Sequence, residues 1–192
     1  MISARGLTKR YGERRVLRGV DLDLPSEGFL LVTGPNGSGK TTLLRICAGL
    51  AAPTEGSVER AVGRGELGYL GHEPLVYREL TPLENLTLFG RLYRVPERGE
   101  RIGMLLERFG LWDVRHDRVA TFSRGMQQRL GLCRVLLPEP DLLVLDEPSN
   151  ALDAAGLELL DGLLAEQGRA HVVATHDPER FARRATERLA FA

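Results

Sequence analysis

Lysine is almost missing from this chain. Of 26 basic residues only Lys9 and Lys40 are lysines, and the rest are arginines. A surplus of either charge is missing too, since 26 acidic residues balance the 26 basic ones. Proteins that grip nucleic acid usually carry a basic surplus or face, so the balance argues against that partner. Cysteine is nearly as scarce. Cys47 and Cys133 stand far apart in apolar surroundings, with no CxxC or Cys/His spacing. They read as buried, reduced thiols rather than as a disulfide framework or a zinc site. No apolar run approaches the roughly 18–20 residues needed to cross a bilayer. The opening stretch, MISARGLTKRYGERR, has no apolar core of a signal peptide. The expectation is a cytoplasmic chain that reaches a membrane only through a partner.

At 192 residues and 43% apolar composition, the chain is long and hydrophobic enough for one domain with a real core. Residues 2–24 alternate polar and apolar positions around Tyr11-Gly12 and stop at Pro25, as an antiparallel pair would. Phe29–Thr33 is a short apolar run flanked by glycines, the pattern of a buried parallel strand. After GPNGSGKTT comes LLRICAGL with helical spacing and Gly49 near its stop. Residues 67–70, 142–145 and 172–175 read as further strands. Residues 82–112, 123–137 and 153–167 read as helices, with apolar positions three and four apart. Strand and helix alternating in this order imply an α/β fold with parallel core strands. The helical stretch from about 82 to 137 exceeds what one crossover needs, so it is expected to form a subdomain within a single domain spanning 1–192.

Gly34-Pro35-Asn36-Gly37-Ser38-Gly39-Lys40-Thr41 matches the phosphate-loop pattern G-x-x-x-x-G-K-[ST], with Thr42 following. Glycines let backbone N–H groups close on phosphate oxygens without a Cβ in the way. The helix that starts near Lys40 adds its positive end. Lys40 supplies a compact charge to the β- and γ-phosphates, and Thr41 offers a hydroxyl to Mg²⁺. The run DLLVLDEP, residues 141–148, carries Asp146 and Glu147 to the carboxyl end of a core strand, where α/β folds bind ligands. Asp146 is the expected Mg²⁺ partner, reached through a water. Glu147 is placed to polarise an attacking water.

With these motifs in hand, the chain resembles the ATP-binding subunit of an ABC transporter over nearly its whole length. FSRGMQQR, residues 122–129, is similar to the family signature LSGGQQQR, with Ser123 and Gly125 preserved. SNALD, residues 149–153, resembles the loop after the second acidic motif. His176 in ATHD resembles the family's switch histidine, and Tyr11 stands where the family stacks an aromatic on adenine. The resemblance implies a phosphate-loop core with a parallel sheet, an N-terminal antiparallel subdomain and an inserted helical subdomain. It implies ATP and Mg²⁺ as cofactors, with Glu147 and His176 at the hydrolytic step. Ser123 and Gly125 would act in trans, on ATP held by a second copy or by a related ATPase subunit. Integral membrane subunits would be the partners, placing the chain on the inner face of the membrane.

Two positions depart from the family pattern. Arg124-Gly125-Met126 replaces Gly-Gly-Gln, which keeps backbone donors but removes a glutamine side chain. His72, in GHEPLVYRELTPLENL, stands where most relatives carry the glutamine that reaches Mg²⁺. An imidazole can ligate or hydrogen-bond, whereas hard Mg²⁺ prefers oxygen; both readings stay open. The segment after His72 is the expected relay to a membrane partner, with Tyr77 and Leu80 as exposed anchors. A soluble ABC ATPase acting on DNA or ribosomes is the alternative; it would bring a coiled coil, a second cassette or a basic surplus, none of which is visible. No appended domain is apparent in the sixteen residues after His176. GHEP followed by LTPLENL is most similar to the ATPase of the haem exporter of cytochrome c maturation. The SRGM variant also resembles ATPases of drug, lipid and polysaccharide exporters.

Overall fold

Two amphipathic strands open the chain. In the computed structural model, which describes residues 1–191, β1 (Ile2–Tyr11) pairs antiparallel with β2 (Arg14–Leu24), Ile2 opposite Leu24 and Tyr11 opposite Arg14. Their alternation sends Ile2, Ala4, Leu7, Leu17, Leu22 and Leu24 inward. β3 (Phe29–Thr33) is apolar on both faces and buried on both, as a central parallel strand must be. α1 (Lys40–Cys47) follows the glycine loop and buries Leu43, Leu44 and Ile46 completely. Each such side chain contributes about 1.5–3 kcal/mol of burial.

The fourth strand has no signal in the sequence pattern. β4 (Glu55–Arg60, EGSVER) holds a single apolar residue, yet pairs antiparallel with the free edge of β1, Ile2 opposite Arg60. Pairing comes from that edge, not from the composition of the segment. Arg60 then donates from Nε to Cys47 O at 2.7 Å and from Nη2 to Ile46 O, which also accepts from Gly49 N at 3.0 Å, so the side chain ties β4 to the end of α1.

β5 (Leu67–Leu70), β6 (Leu142–Asp146), β7 (Ala170–Ala174) and β8 (Glu187–Ala190) complete a second sheet of order β5-β6-β7-β3-β8. The pairs β3–β7, β3–β8 and β6–β7 are parallel. One apolar cluster joins the two sheets and α1, through Leu7, Leu24, Leu30, Val32, Leu44, Val144 and Val172. Burial pushes the Cys47 thiol within it up to about 12, so it stays protonated and inert at neutral pH.

The chain divides into two compact units. Residues 1–69, 141–147 and Gln167 onward form the first, and residues 70–140 and 148–166 the second. In the second, α2 (Pro82–Leu92) begins with a reciprocal cap, Thr81 Oγ1 accepting from Glu84 N and Glu84 Oε2 accepting from Thr81 N at 2.8 Å. α3 (Arg98–Arg108), α4 (Arg124–Leu136) and α5 (Ala154–Leu164) follow. The sequence pattern predicts one helix over 82–112, but the chain breaks between Leu92 and Arg98. Pro96 has no N–H to continue the helix and pushes Val95 out of the helical region. Arg94 and Glu97 turn with φ of 56° and 46°. Leu86, Ile102, Leu106, Phe109, Leu130 and Cys133 fill the core of this unit. α6 (Pro178–Phe181), back in the first unit, leads into β8.

Candidate active site

The parallel strands end side by side, and each end carries chemistry. β3 stops at Thr33, and residues 34–39 turn into α1. Gly39 caps that helix at φ 113°; a Cβ there would lie 3.0 Å from Leu17 Cδ2 and 3.1 Å from Val16 O. Only glycine fits both the angle and the space. Lys40 is buried, and its Nζ donates to Gly34 O at 2.7 Å and Pro35 O at 3.1 Å. The loop thus wraps its own carbonyls around one ammonium. Asn36 and Gly37 form the exposed crest, where Arg14 Nη2 reaches Gly37 O at 3.4 Å. No motif in the sequence marks Arg14. Ser38 Oγ is buried with no hydrogen-bond partner among the described residues. Thr42, the next residue but one after Lys40, is half-buried.

Thr41 and Asp146 are 105 residues apart in sequence and meet here. Thr41 Oγ1 donates to Asp146 Oδ2 at 2.6 Å, and Asp146 ends β6 opposite Ala174 of β7, almost wholly buried. Glu147 then leaves the strand with φ 51°, a left-handed geometry that costs a residue before proline on the order of 1–3 kcal/mol. Neighbouring groups hold it there. Glu147 N donates to Ala174 O at 2.9 Å, and Glu147 Oε2 accepts from His176 N at 3.2 Å with His176 Nδ1 2.7 Å away. The carboxylate side chain is only 10% exposed and the imidazole 63% exposed. A buried carboxylate is therefore oriented by a histidine that remains open to solvent.

Tyr11 ends β1 with 52% of its surface exposed and Lys9 Nζ 5.2 Å from its ring centroid. His72, Ser123 and Gly125 belong to the second unit. His72 is exposed on an irregular segment. Tyr77 on that segment is also exposed, whereas Leu80 is half-buried; Asn85 fixes the turn by accepting from Tyr77 N at 2.7 Å and donating to Tyr77 O at 2.9 Å. Ser123 caps α4, its Oγ accepting from Met126 N at 3.2 Å, and Gly125 lies in the first turn.

Comparisons with known proteins agree with this arrangement. The ABC transporter family model matches residues 17–150. An uncharacterized ABC transporter ATP-binding protein of Bacillus subtilis (strain 168), YxlF, is 40% identical over 84% of this chain. This chain spans 57% of that relative's length. The cytochrome c biogenesis ATP-binding export protein CcmA of Rhizobium meliloti (strain 1021) is 38% identical, over 94% of this chain and 93% of its own. Among solved structures, the dimeric post-hydrolysis state of the ATP-binding cassette MJ0796 bound to ADP and Pi superposes with a TM-score of 0.86 at 30% identity. That match covers all of this chain and 94% of the other. With its matched family model, its parallel sheet and its phosphate loop, the chain belongs to the ABC transporter family and carries that family's nucleotide-binding domain.

Proposed function

We propose that this chain binds ATP, hydrolyses it and, paired with a second such subunit, drives the membrane subunits of an ABC transporter. The observation that carries the reading is the convergence of a buried lysine, a Thr41–Asp146 contact and a histidine-oriented Glu147 at the ends of adjacent parallel strands. The loop N–H groups and Lys40 hold the β- and γ-phosphates. Ser38 Oγ, an unsatisfied buried hydroxyl worth about 1–3 kcal/mol, gains a phosphate oxygen as partner. Thr41 and Asp146 present two oxygens 2.6 Å apart, a donor set that suits hard Mg²⁺. When bound, Mg²⁺ neutralises charge on the phosphates. Glu147 draws a proton from the attacking water as its oxygen closes on the γ-phosphorus and ADP leaves, while His176 keeps the carboxylate in place.

Ser123 and Gly125 open a helix of 13 residues, so their end of α4 can donate to a γ-phosphate. In this reading that phosphate belongs to ATP on the other subunit, which makes nucleotide part of the dimer contact. The solved cassette dimer with ADP and Pi supports a two-chain assembly. Among the described residues no helix is long and apolar enough to cross a membrane, so attachment to the inner face runs through the membrane subunits. The test is ATP turnover by the purified chain beside its Glu147→Gln variant. Equal rates, or no ATP binding by either, would sink the reading.

For cargo we favour haem export for cytochrome c maturation. His72 and the GHEP segment support it, together with the likeness to CcmA over nearly both chains. Deleting the gene should abolish holo-cytochrome c while apocytochrome is still made. Normal c-type cytochromes alongside another export defect would assign the chain to a drug, lipid or polysaccharide exporter.

A further inference from the structure

The first turns of α4 press one face against the loop that follows Glu147. Residues 125, 128 and 129 are spaced i, i+3, i+4, so they share that face. A Cβ on Gly125 would lie 2.6 Å from Ala151 O, so the loop backbone touches the helix where only glycine leaves room. Gln128, 5% exposed, donates from Nε2 to Pro148 O at 3.3 Å. Arg129 Nη2 lies 3.8 Å from Asp153 Oδ2, and Asp153 Oδ1 in turn caps α5 by accepting from Gly156 N at 2.9 Å. Helix, loop and the start of α5 are thus stapled at three successive points.

Of the three, Gln128 stands nearest the chemistry along the chain, because Pro148 is covalently joined to Glu147. The left-handed φ of Glu147 persists only if both sides of the bend are held. Upstream and sideways, Ala174 O and His176 do so. Downstream, Pro148 lacks an N–H, so its carbonyl is the one polar backbone group by which that residue can be pinned. We propose that Gln128 is a positioning residue for hydrolysis: by holding the Pro148 carbonyl against α4 it keeps Glu147 in its strained, productive geometry. The proposal rests on the ATPase reading above.

The test is a split between turnover and nucleotide affinity. Gln128→Met keeps volume and apolar packing but removes the donor. Gln128→Asn keeps an amide but stops one methylene short of Pro148. Both should lower kcat by about tenfold, the factor set by roughly one charge-free hydrogen bond in the transition state. KM for ATP, ADP affinity by calorimetry and the melting temperature should stay near wild type. A wild-type kcat in Gln128→Met would overturn the proposal. So would a loss of kcat matched by equal losses of ADP affinity and of thermal stability in both variants, which marks a packing role only. An unmutated chain that neither binds nor hydrolyses ATP would instead fell the parent reading, and this one with it.

Discussion

The starts of α1 and α4 are both glycine-punctuated helix openings, and they differ in what holds their polar groups. At α1, Lys40 is enclosed by two loop carbonyls and Thr41 is bonded to a carboxylate 105 residues away. At α4, Ser123 is exposed and its hydroxyl accepts from Met126 N, inside its own first turn. The first opening is assembled by long-range contacts within one folded unit. The second is assembled by local capping and displayed on a surface. A site of the first kind can bind ligand by itself. A site of the second kind needs ligand brought to it, which is how a trans contact with another subunit's ATP would work.

The largest expected effect lies on the enclosed side. Glu147→Gln keeps shape and loses the base, so turnover should fall by about 10²–10⁴. ATP binding should persist, and an ATP-bound dimer should accumulate in light scattering. Hydrolysis near the wild-type rate would remove Glu147 from the mechanism. Next comes the displayed side. Ser123→Arg puts bulk where the second subunit's nucleotide would dock, and turnover should fall by about a hundredfold, the scale of losing preorganised donors. Because the two openings are held separately, ATP affinity of the single chain should not change. A nucleotide-independent dimer indifferent to Ser123→Arg would erase the contrast.

Smaller again is the expected cost of Lys40→Ala. Charge-assisted hydrogen bonds contribute about 1.5–3 kcal/mol, so ATP affinity should drop roughly tenfold to a hundredfold. Lys40→Arg should not restore it, because a planar fork does not fit a cradle closed by Gly34 O and Pro35 O. Normal ATP binding by Lys40→Arg, measured by calorimetry, would mean that the loop is looser than its carbonyl contacts imply.

The same contrast explains what could be read from the sequence. β3, β6 and β7 are each built on a short apolar run buried on both faces, and the loop between β3 and α1 is a local glycine pattern, so all were legible. β4 was not, because its one apolar residue says nothing of the open β1 edge that recruits it. The break at residues 93–97 hides in a helical Leu/Arg pattern, where a single Pro96 outweighs the periodicity. The Thr41–Asp146 and Glu147–His176 contacts join segments that motif logic could name but not place within hydrogen-bonding distance. Gln128 lies inside the FSRGMQQR segment, but nothing in that segment points to its contact. Its partner is a backbone carbonyl, which carries no residue identity, and its burial comes from the fold around it.

The smallest effect tests whether Tyr11 belongs with the enclosed opening. Its ring is 52% exposed, and Lys9 Nζ sits 5.2 Å from the centroid, supported from behind by Ala52 O at 2.7 Å. One face is thus occupied by a cation, which leaves the other to stack on adenine. A flat ring supplies roughly 1–3 kcal/mol to a stacked base, so Tyr11→Ala should weaken ATP binding by about fivefold or somewhat more. Tyr11→Phe keeps the face and should behave like wild type. Stacking does not discriminate among bases, since each presents a π-face. GTP affinity should therefore fall by the same factor as ATP affinity in Tyr11→Ala. A loss confined to ATP would show that the base is read by hydrogen bonds from another group. No change for either nucleotide would leave Tyr11 as a surface residue of β1, outside the enclosed site.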